Sequence, residues 1–170
     1  GDLELARRLI DAAANAGADA VKFQTFCAEG LATPEATKAG YQIKTTGTDG
    51  NQLAMLRQLE LSEESHQVLI DHCREREVMF LSTPHDWGAI DLLDRYDVPA
   101  FKVGSGDLTN IPFLRRLARK GRPIILSTGM GNLSEVEAAV EEEAALHRKS
   151  AADRTISAGW YAHSVIFITL

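Results

Sequence analysis

The chain has 170 residues, of which 45% are hydrophobic and 25% are charged, as in an ordinary globular protein. Its 24 acidic residues outnumber the 18 basic ones, and the resulting net charge of −6 argues against nucleic acid or a membrane surface as a partner, because both need clustered Lys and Arg. The sequence contains no apolar run that could span a bilayer, and its two cysteines, Cys27 and Cys73, form no motif, so we predict a cytoplasmic protein without disulfides.

Helix and strand patterns alternate from the first residues onward. Apolar residues at helical spacing predict a helix that begins at Leu3 and ends near Gly17. A strand is predicted over residues 20–26, where apolar, aromatic and β-branched side chains follow one another. The polar stretch 29–51 comes next, and its length predicts either a functional loop or a poorly ordered one.

The alternation then continues to about residue 148. Helices are predicted over 52–59, 62–75, 86–96, 111–120 and 134–148, and strands over 78–83, 100–105 and 123–128. Continuous apolar strands separated by amphipathic helices are typical of a parallel sheet covered by helices, so we predict the α/β class. We interpret residues 1–150 as one unit and residues 151–170 as a divergent tail, in which 165–168 is a possible additional strand.

Small polar residues follow the end of each predicted strand, where ligands of parallel α/β proteins gather. The alternation of side chains along a strand places Lys22 and Gln24 on one face, and places Lys102 opposite Phe101 and Val103. A lysine within an apolar strand is costly to desolvate unless it meets an anion. Two such lysines at corresponding strand ends therefore favour an anion-binding site.

Simpler interpretations of these residues stay open. Each lysine could pair with a carboxylate such as Asp107 or reach solvent, and Asp107 could either bind a sugar hydroxyl or offset Lys102. The hydroxyl residues Thr83, Ser105 and Ser127 could each cap the helix that follows.

The remaining reactive side chains are predicted to have ordinary roles. His66 and His72 lie on a predicted helix and are interpreted as surface residues. His85 follows Pro84 at a strand end, where a catalytic or substrate-binding role competes with a simple loop role, and we favour the loop role. Cys27 lies near the predicted site but has no partner that would make it a nucleophile.

Six segments carry a resemblance to a known family. They are Gly1-Asp2, Ala16 to Thr25, Leu59 to Ser62, Phe80 to Pro84, Pro99 to Asp107, and Pro123 to Met130. Together, in this order and spacing, they resemble the N-acetylneuraminate (sialic acid) synthase family over residues 1–143.

This resemblance implies part of a (β/α)8 barrel and an enzyme that condenses phosphoenolpyruvate with an N-acetylated amino sugar, such as N-acetylmannosamine, and releases phosphate. The sugar would be addressed by Asp107, and the resemblance leaves the catalytic residue unassigned. It implies that phosphoenolpyruvate is held by Lys22, Gln24, Thr83, Lys102, Ser105 and Ser127.

The sequence departs from the family pattern in several places. A complete barrel of this type takes about 250 residues, so the chain corresponds to four or five of its strands. The resemblance implies a divalent metal, Mn or Mg, in the complete enzyme, with histidine ligands that this chain does not supply. In the tail, Ala162-His163-Ser164 loosely matches a family motif, and position 85, often aromatic in the family, is His.

Three functional hypotheses follow. The first is a synthase-type transferase that works as a homo-oligomer on small-molecule substrates, and we expect this chain alone to be inactive. The second is a barrel aldolase in which Lys22 or Lys102 forms a Schiff base. The third is a non-catalytic remnant. The motifs do not distinguish the amino sugar, because legionaminic and pseudaminic acid synthases share most of them.

Overall fold

Parallel strands form a single sheet in the computed structural model, which describes residues 1–47, 50–150 and 165–167, with side chains up to residue 142. The strands are β1 (Ala20–Thr25), β2 (Met79–Pro84), β3 (Phe101–Val103), β4 (Ile124–Leu126) and β5 (Val165–Phe167). Their order across the sheet is β4-β3-β2-β1-β5. The predicted α/β class is therefore confirmed, and within the described residues β4 and β5 form the two sheet edges.

Helices connect the strands, and several of them begin at polar caps. They are α1 (Leu3–Asn15), α2 (Ala28–Leu31), α3 (Gly40–Thr46), α4 (Gln52–Leu59), α5 (Glu63–Glu75), α6 (Trp87–Arg95), α7 (Ile111–Ala118) and α8 (Leu133–Ser150), with a 3₁₀ turn at Ser105–Asp107. Asp2, Ser62 and Asp86 each accept a backbone N–H with their side chains at the start of a helix. In the described ranges, no helix is both long and apolar enough to cross a membrane.

The polar stretch after β1 differs from the prediction. It was expected to be a loop, but it contains α2 and α3 before α4 begins at Gln52. In the tail, β5 pairs in parallel with β1, and Ala20 lies opposite Val165. The loosely matching His163 lies outside the described residues.

The two faces of the sheet have different partners. One face packs against the helices and forms the main core, to which Phe23, Phe80 and Phe101 contribute buried rings. We call the opposite face the site face, because it carries Lys22 and Lys102. Its apolar part is small and consists of Ala20, Leu81 and Ala100 with Met79 packed against them.

A buried hydrogen-bonded network joins β1 and β2 on the helix-facing side. His66 on α5 is only 1% exposed, so its predicted surface position is wrong; His66, Leu69 and Cys73 share the buried face of α5. The Nδ1 atom of His66 lies 2.8 Å from the carbonyl oxygen of Ser62, which can only accept a hydrogen bond. The Nε2 atom of His66 lies 2.8 Å from Thr25 Oγ1. In the neutral ring Nδ1 therefore carries the hydrogen and donates to Ser62, and Nε2 accepts a hydrogen bond from the Thr25 hydroxyl.

The same logic extends the network to β2. The Thr25 hydroxyl uses its hydrogen in the bond to His66, so Thr25 Oγ1 accepts a hydrogen bond from the hydroxyl of Ser82 at 2.7 Å. His72 also departs from its predicted surface position, because its half-buried ring contacts Asp11 on α1 at 2.9 Å. His66 thus ties α5 to the sheet, whereas His72 ties α5 to α1.

We expect the His66 network to make folding sensitive to acid. Burial lowers the pKa of His66, so the folded chain keeps it neutral while the unfolded chain protonates it near pH 6.5. Its contribution to stability is therefore complete above that pH and is lost as the pH falls below it. Urea unfolding at several pH values between 8 and 5 should show a shallower loss of unfolding free energy in His66→Gln than in the wild-type chain.

His72→Gln, on the same helix, is the matched control for this experiment because it leaves the buried network intact. Carboxylates that titrate below pH 5 contribute to the pH dependence of all three proteins. The comparison therefore uses the difference between their slopes of unfolding free energy against pH. Equal slopes for the wild-type chain and His66→Gln would contradict the prediction.

Candidate anion-binding site

The ends of the strands bring the predicted residues to one edge of the site face. The β1–β2 register places Gln24 opposite Thr83, while β3 and β4 place Lys102 opposite Ile125. Lys22 is 8% exposed and Lys102 is 7% exposed, so both ammonium groups sit among protein atoms. Thr83 is also buried, at the end of the strand that lies between those of the two lysines.

Lys102 is held by neutral oxygens. Its Nζ donates to Ser127 Oγ at 2.6 Å and to the carbonyl oxygen of Val103 at 2.5 Å. The simple interpretation, in which Lys102 forms an ion pair with Asp107 or reaches solvent, is not what the structure shows. Ser127, at the end of β4, thus fixes the direction of the Lys102 ammonium group.

The two lysines also act on each other. Burial lowers the pKa of Lys102, and the positive charge of Lys22 lowers it further. Burial likewise lowers the pKa of Lys22. Two like charges that interact inside a protein are a destabilising arrangement unless a negative charge meets them. Their burial at the ends of β1 and β3 makes this edge of the site face a candidate anion-binding site.

Neighbouring residues cap the helices that follow Thr83 and Ser127. Asp86 caps α6 and Asn132 caps α8, each accepting a backbone N–H three residues further on. Ser105 begins the 3₁₀ turn after β3 and is half-buried. Thr83 and Ser127 are therefore not the caps of these helices, and both lie at the site edge.

Asp107 lies on the same 3₁₀ turn, directly after β3. It is half-buried, and its carboxylate raises the pKa of His85, which places the two side chains within electrostatic reach. Asn110 Nδ2 lies 3.5 Å from its Oδ1. Asp107 is thus a negative group at the rim of an otherwise positive site.

His85 is a site-edge residue that the sequence analysis set aside as a loop residue. Its Nε2 lies 3.0 Å from Gln24 Oε1, and its half-buried ring meets the Phe26 ring edge-on. The signal that could have identified it is its position directly after Pro84, where β2 reaches the same edge as β1.

An open cavity of about 650 Å³ adjoins this edge. The cavity is lined by Gln24 and by side chains of the segment between β1 and α5, most of which are apolar. These include Phe26, Tyr41, Met55 and Leu59.

A divalent metal fits poorly to the described residues. The one group with enough ligand atoms close together consists of Cys27, Glu29 and Glu60. Glu29 already accepts from Arg57 at 2.7 Å, and its hydrogen bond with Cys27 raises the pKa of that thiol and keeps it protonated. The metal that the resemblance implies therefore has no fitting ligand set in the described part of the chain.

Comparison with known proteins identifies the family of the chain. The NeuB family profile matches residues 9–157. N,N'-diacetyllegionaminic acid synthase of Campylobacter jejuni is 48% identical over 140 residues, which cover 82% of this chain and 42% of that protein. Human N-acetylneuraminate-9-phosphate synthase is 35% identical over 143 residues, covering 81% of this chain and 38% of that protein.

The fold comparison leads to the same family. The sialic acid synthetase of Leptospira borgpetersenii, solved in complex with citrate, superposes with a TM-score of 0.71 and 29% identity, over 86% of this chain and 46% of that one. The DAHP synthase of Thermotoga maritima, at 12% identity and a TM-score of 0.63, shares the fold. The chain spans about two fifths of the curated relatives that it matches. Over that span its sequence and its fold agree, and the chain belongs to the NeuB family.

Proposed function

We propose that this chain supplies the phosphoenolpyruvate-binding part of a nonulosonic acid synthase, which joins phosphoenolpyruvate to an N-acetylated amino sugar and releases phosphate. The observation that carries the proposal is the pair of buried, mutually repelling lysines, Lys22 and Lys102, at the carboxyl ends of parallel strands. Phosphoenolpyruvate carries a phosphate and a carboxylate, so it offers separate negative groups to the two ammonium groups.

Five residues of the site have distinct roles in this proposal. Lys22 and Lys102 bind the anion, and Ser127 holds the Lys102 ammonium group in place through its hydroxyl. Thr83 offers a further hydroxyl donor between them. Asp107, on the 3₁₀ turn after β3, would accept a hydrogen bond from a hydroxyl group of the sugar.

The reaction itself would form a carbon–carbon bond from C3 of phosphoenolpyruvate to the sugar aldehyde, with water adding at C2 and phosphate leaving. A divalent metal bound in a complete enzyme would supply a Lewis acid for the aldehyde. The described residues of this chain contribute anion binding and orientation, which hold the nucleophilic carbon in place.

Calorimetric titration of the purified chain with phosphoenolpyruvate tests the proposal. We expect saturable binding that weakens as salt is added, and no sugar acid when N-acetylmannosamine and manganese are also present. The open five-strand sheet of the described residues leaves Ile125 41% exposed on the site face, so it cannot exclude water or fix a second substrate. Absence of binding at millimolar phosphoenolpyruvate would overturn the proposal.

One observation favours a second candidate, a Schiff-base aldolase. Burial lowers the pKa of both lysines, as catalytic amine nucleophiles require. Borohydride reduction in the presence of pyruvate distinguishes the two functions by mass spectrometry. A covalent adduct on Lys22 or Lys102 would support the aldolase, and phosphoenolpyruvate binding without an adduct supports the synthase.

A further inference from the structure

The position of His85 is fixed by three contacts at the site edge. Its backbone N–H donates to the carbonyl oxygen of Thr25 at 3.0 Å, which fastens the residue to the end of β1. Its ring meets Phe26 edge-on, with centroids 6.4 Å apart. The third contact joins the imidazole Nε2 to Gln24 Oε1 at 3.0 Å.

The Gln24 contact determines where the hydrogens lie. Oε1 is an amide oxygen and can only accept, so the imidazole Nε2 carries the hydrogen and donates it. The amide NH₂ of Gln24 is then turned away from His85. Gln24 shares the face of β1 that carries Lys22, so this NH₂ is offered on the side where an anion would bind.

Charged groups on three neighbouring elements shift the pKa of His85. Burial lowers its pKa most, the Lys22 charge on β1 lowers it too, and the carboxylates of Asp107 on the 3₁₀ turn and Asp86 at the start of α6 raise it. Asp86 is already occupied, since it accepts the backbone N–H groups of Cys27 and Ala89. An anion bound at Lys22 would add negative charge beside the ring and offset that lysine.

We propose that His85 is a positioning residue of the anion site, which turns the Gln24 amide toward bound phosphoenolpyruvate and takes up a proton when that anion binds. The inference rests on the proposed function for the identity of the anion. It separates two roles of the ring, because the hydrogen bond to Gln24 needs only a donor at Nε2, whereas the proton uptake needs a group that titrates.

Two variants separate these roles. His85→Gln keeps a donor near the position of Nε2 but does not titrate, and His85→Phe keeps a flat ring without any donor. At pH 8 we expect phosphoenolpyruvate affinity near the wild-type value for His85→Gln and about two- to tenfold weaker binding for His85→Phe. Between pH 8 and pH 6, affinity should rise more in the wild-type chain than in either variant.

The pH comparison is made between proteins because the phosphate of the ligand itself gains a proton near pH 6. Nuclear magnetic resonance titration of the imidazole signals gives an independent measurement. Phosphoenolpyruvate should raise the pKa of His85 by about one pH unit, equivalent by linkage to tenfold tighter binding to the protonated form. His66, buried in its own network, should not respond.

The outcomes distinguish this inference from the proposed function. If phosphoenolpyruvate binds but leaves the His85 signal and the His85→Phe affinity unchanged, the positioning role is wrong and the binding function stands. If His85→Gln follows the wild-type pH dependence, proton uptake is wrong. If the wild-type chain does not bind phosphoenolpyruvate at all, the proposed function fails, and the inference fails with it.

Discussion

Replacing Lys22 or Lys102 by methionine is expected to weaken phosphoenolpyruvate binding by about ten- to a hundredfold. Each change removes one charge-assisted contact, which is worth about 1.5–3 kcal/mol. Methionine keeps most of the apolar stem, so the strand remains packed while the ammonium group disappears. Calorimetric titration at fixed ionic strength measures the change.

The same variants should fold at least as well as the wild-type chain. The charge of Lys22 lowers the pKa of Lys102, so replacing either lysine removes a buried like charge from beside the other. Lys120→Met is the matched control, because Lys120 pairs with Asp91 and Asp94 in the helix layer. Binding that stays within twofold of wild type in both site variants would exclude the lysines as the anion contacts.

Replacing Phe101 by alanine is expected to lower the free energy of unfolding by about 3–5 kcal/mol, the usual cost of emptying a buried aromatic position. Phe101 is fully buried in the main core on the helix-facing side of β3, one residue before Lys102. Denaturant unfolding followed by circular dichroism measures this loss. A cavity behind β3 should also weaken phosphoenolpyruvate binding, since Lys102 projects from the opposite side of the same strand.

Met130→Ala provides the control for this comparison, because Met130 is 78% exposed in the loop after β4. It should change the unfolding free energy by less than about 0.5 kcal/mol. A Phe101→Ala variant no less stable than the control would show that β3 is not held by the core as the structure indicates.

The sequence predicted the strands and most helices because each carries a local signal. Continuous apolar residues identify β1 and β2, and caps such as Ser62 and Asp86 identify the helices that follow. The segment with α2 and α3 was missed, since short polar helices depend on the packing around them more than on their own periodicity.

The site shows a similar division. Alternation along the strands was enough to place Lys22, Gln24 and Lys102 on one face. The role of Ser127 as the partner of Lys102 required the β3–β4 register, which spacing alone does not define. The predicted surface positions of His66 and His72 were wrong for one reason: a lone histidine carries no pattern, and its burial depends on contacts with residues far away in sequence.

We call the boundary between β2 and β3 the seam of the described sheet, because it has the fewest register pairs. Strands β1 and β2 share six register pairs, whereas β2 and β3 share only the pair of Ser82 with Phe101. Lys22 lies on one side of this seam and Lys102 on the other, so a ligand held by both would act as a noncovalent cross-link. Amide hydrogen exchange in β3 and β4 would then slow on binding, and the substrate itself would be a structural component of the sheet.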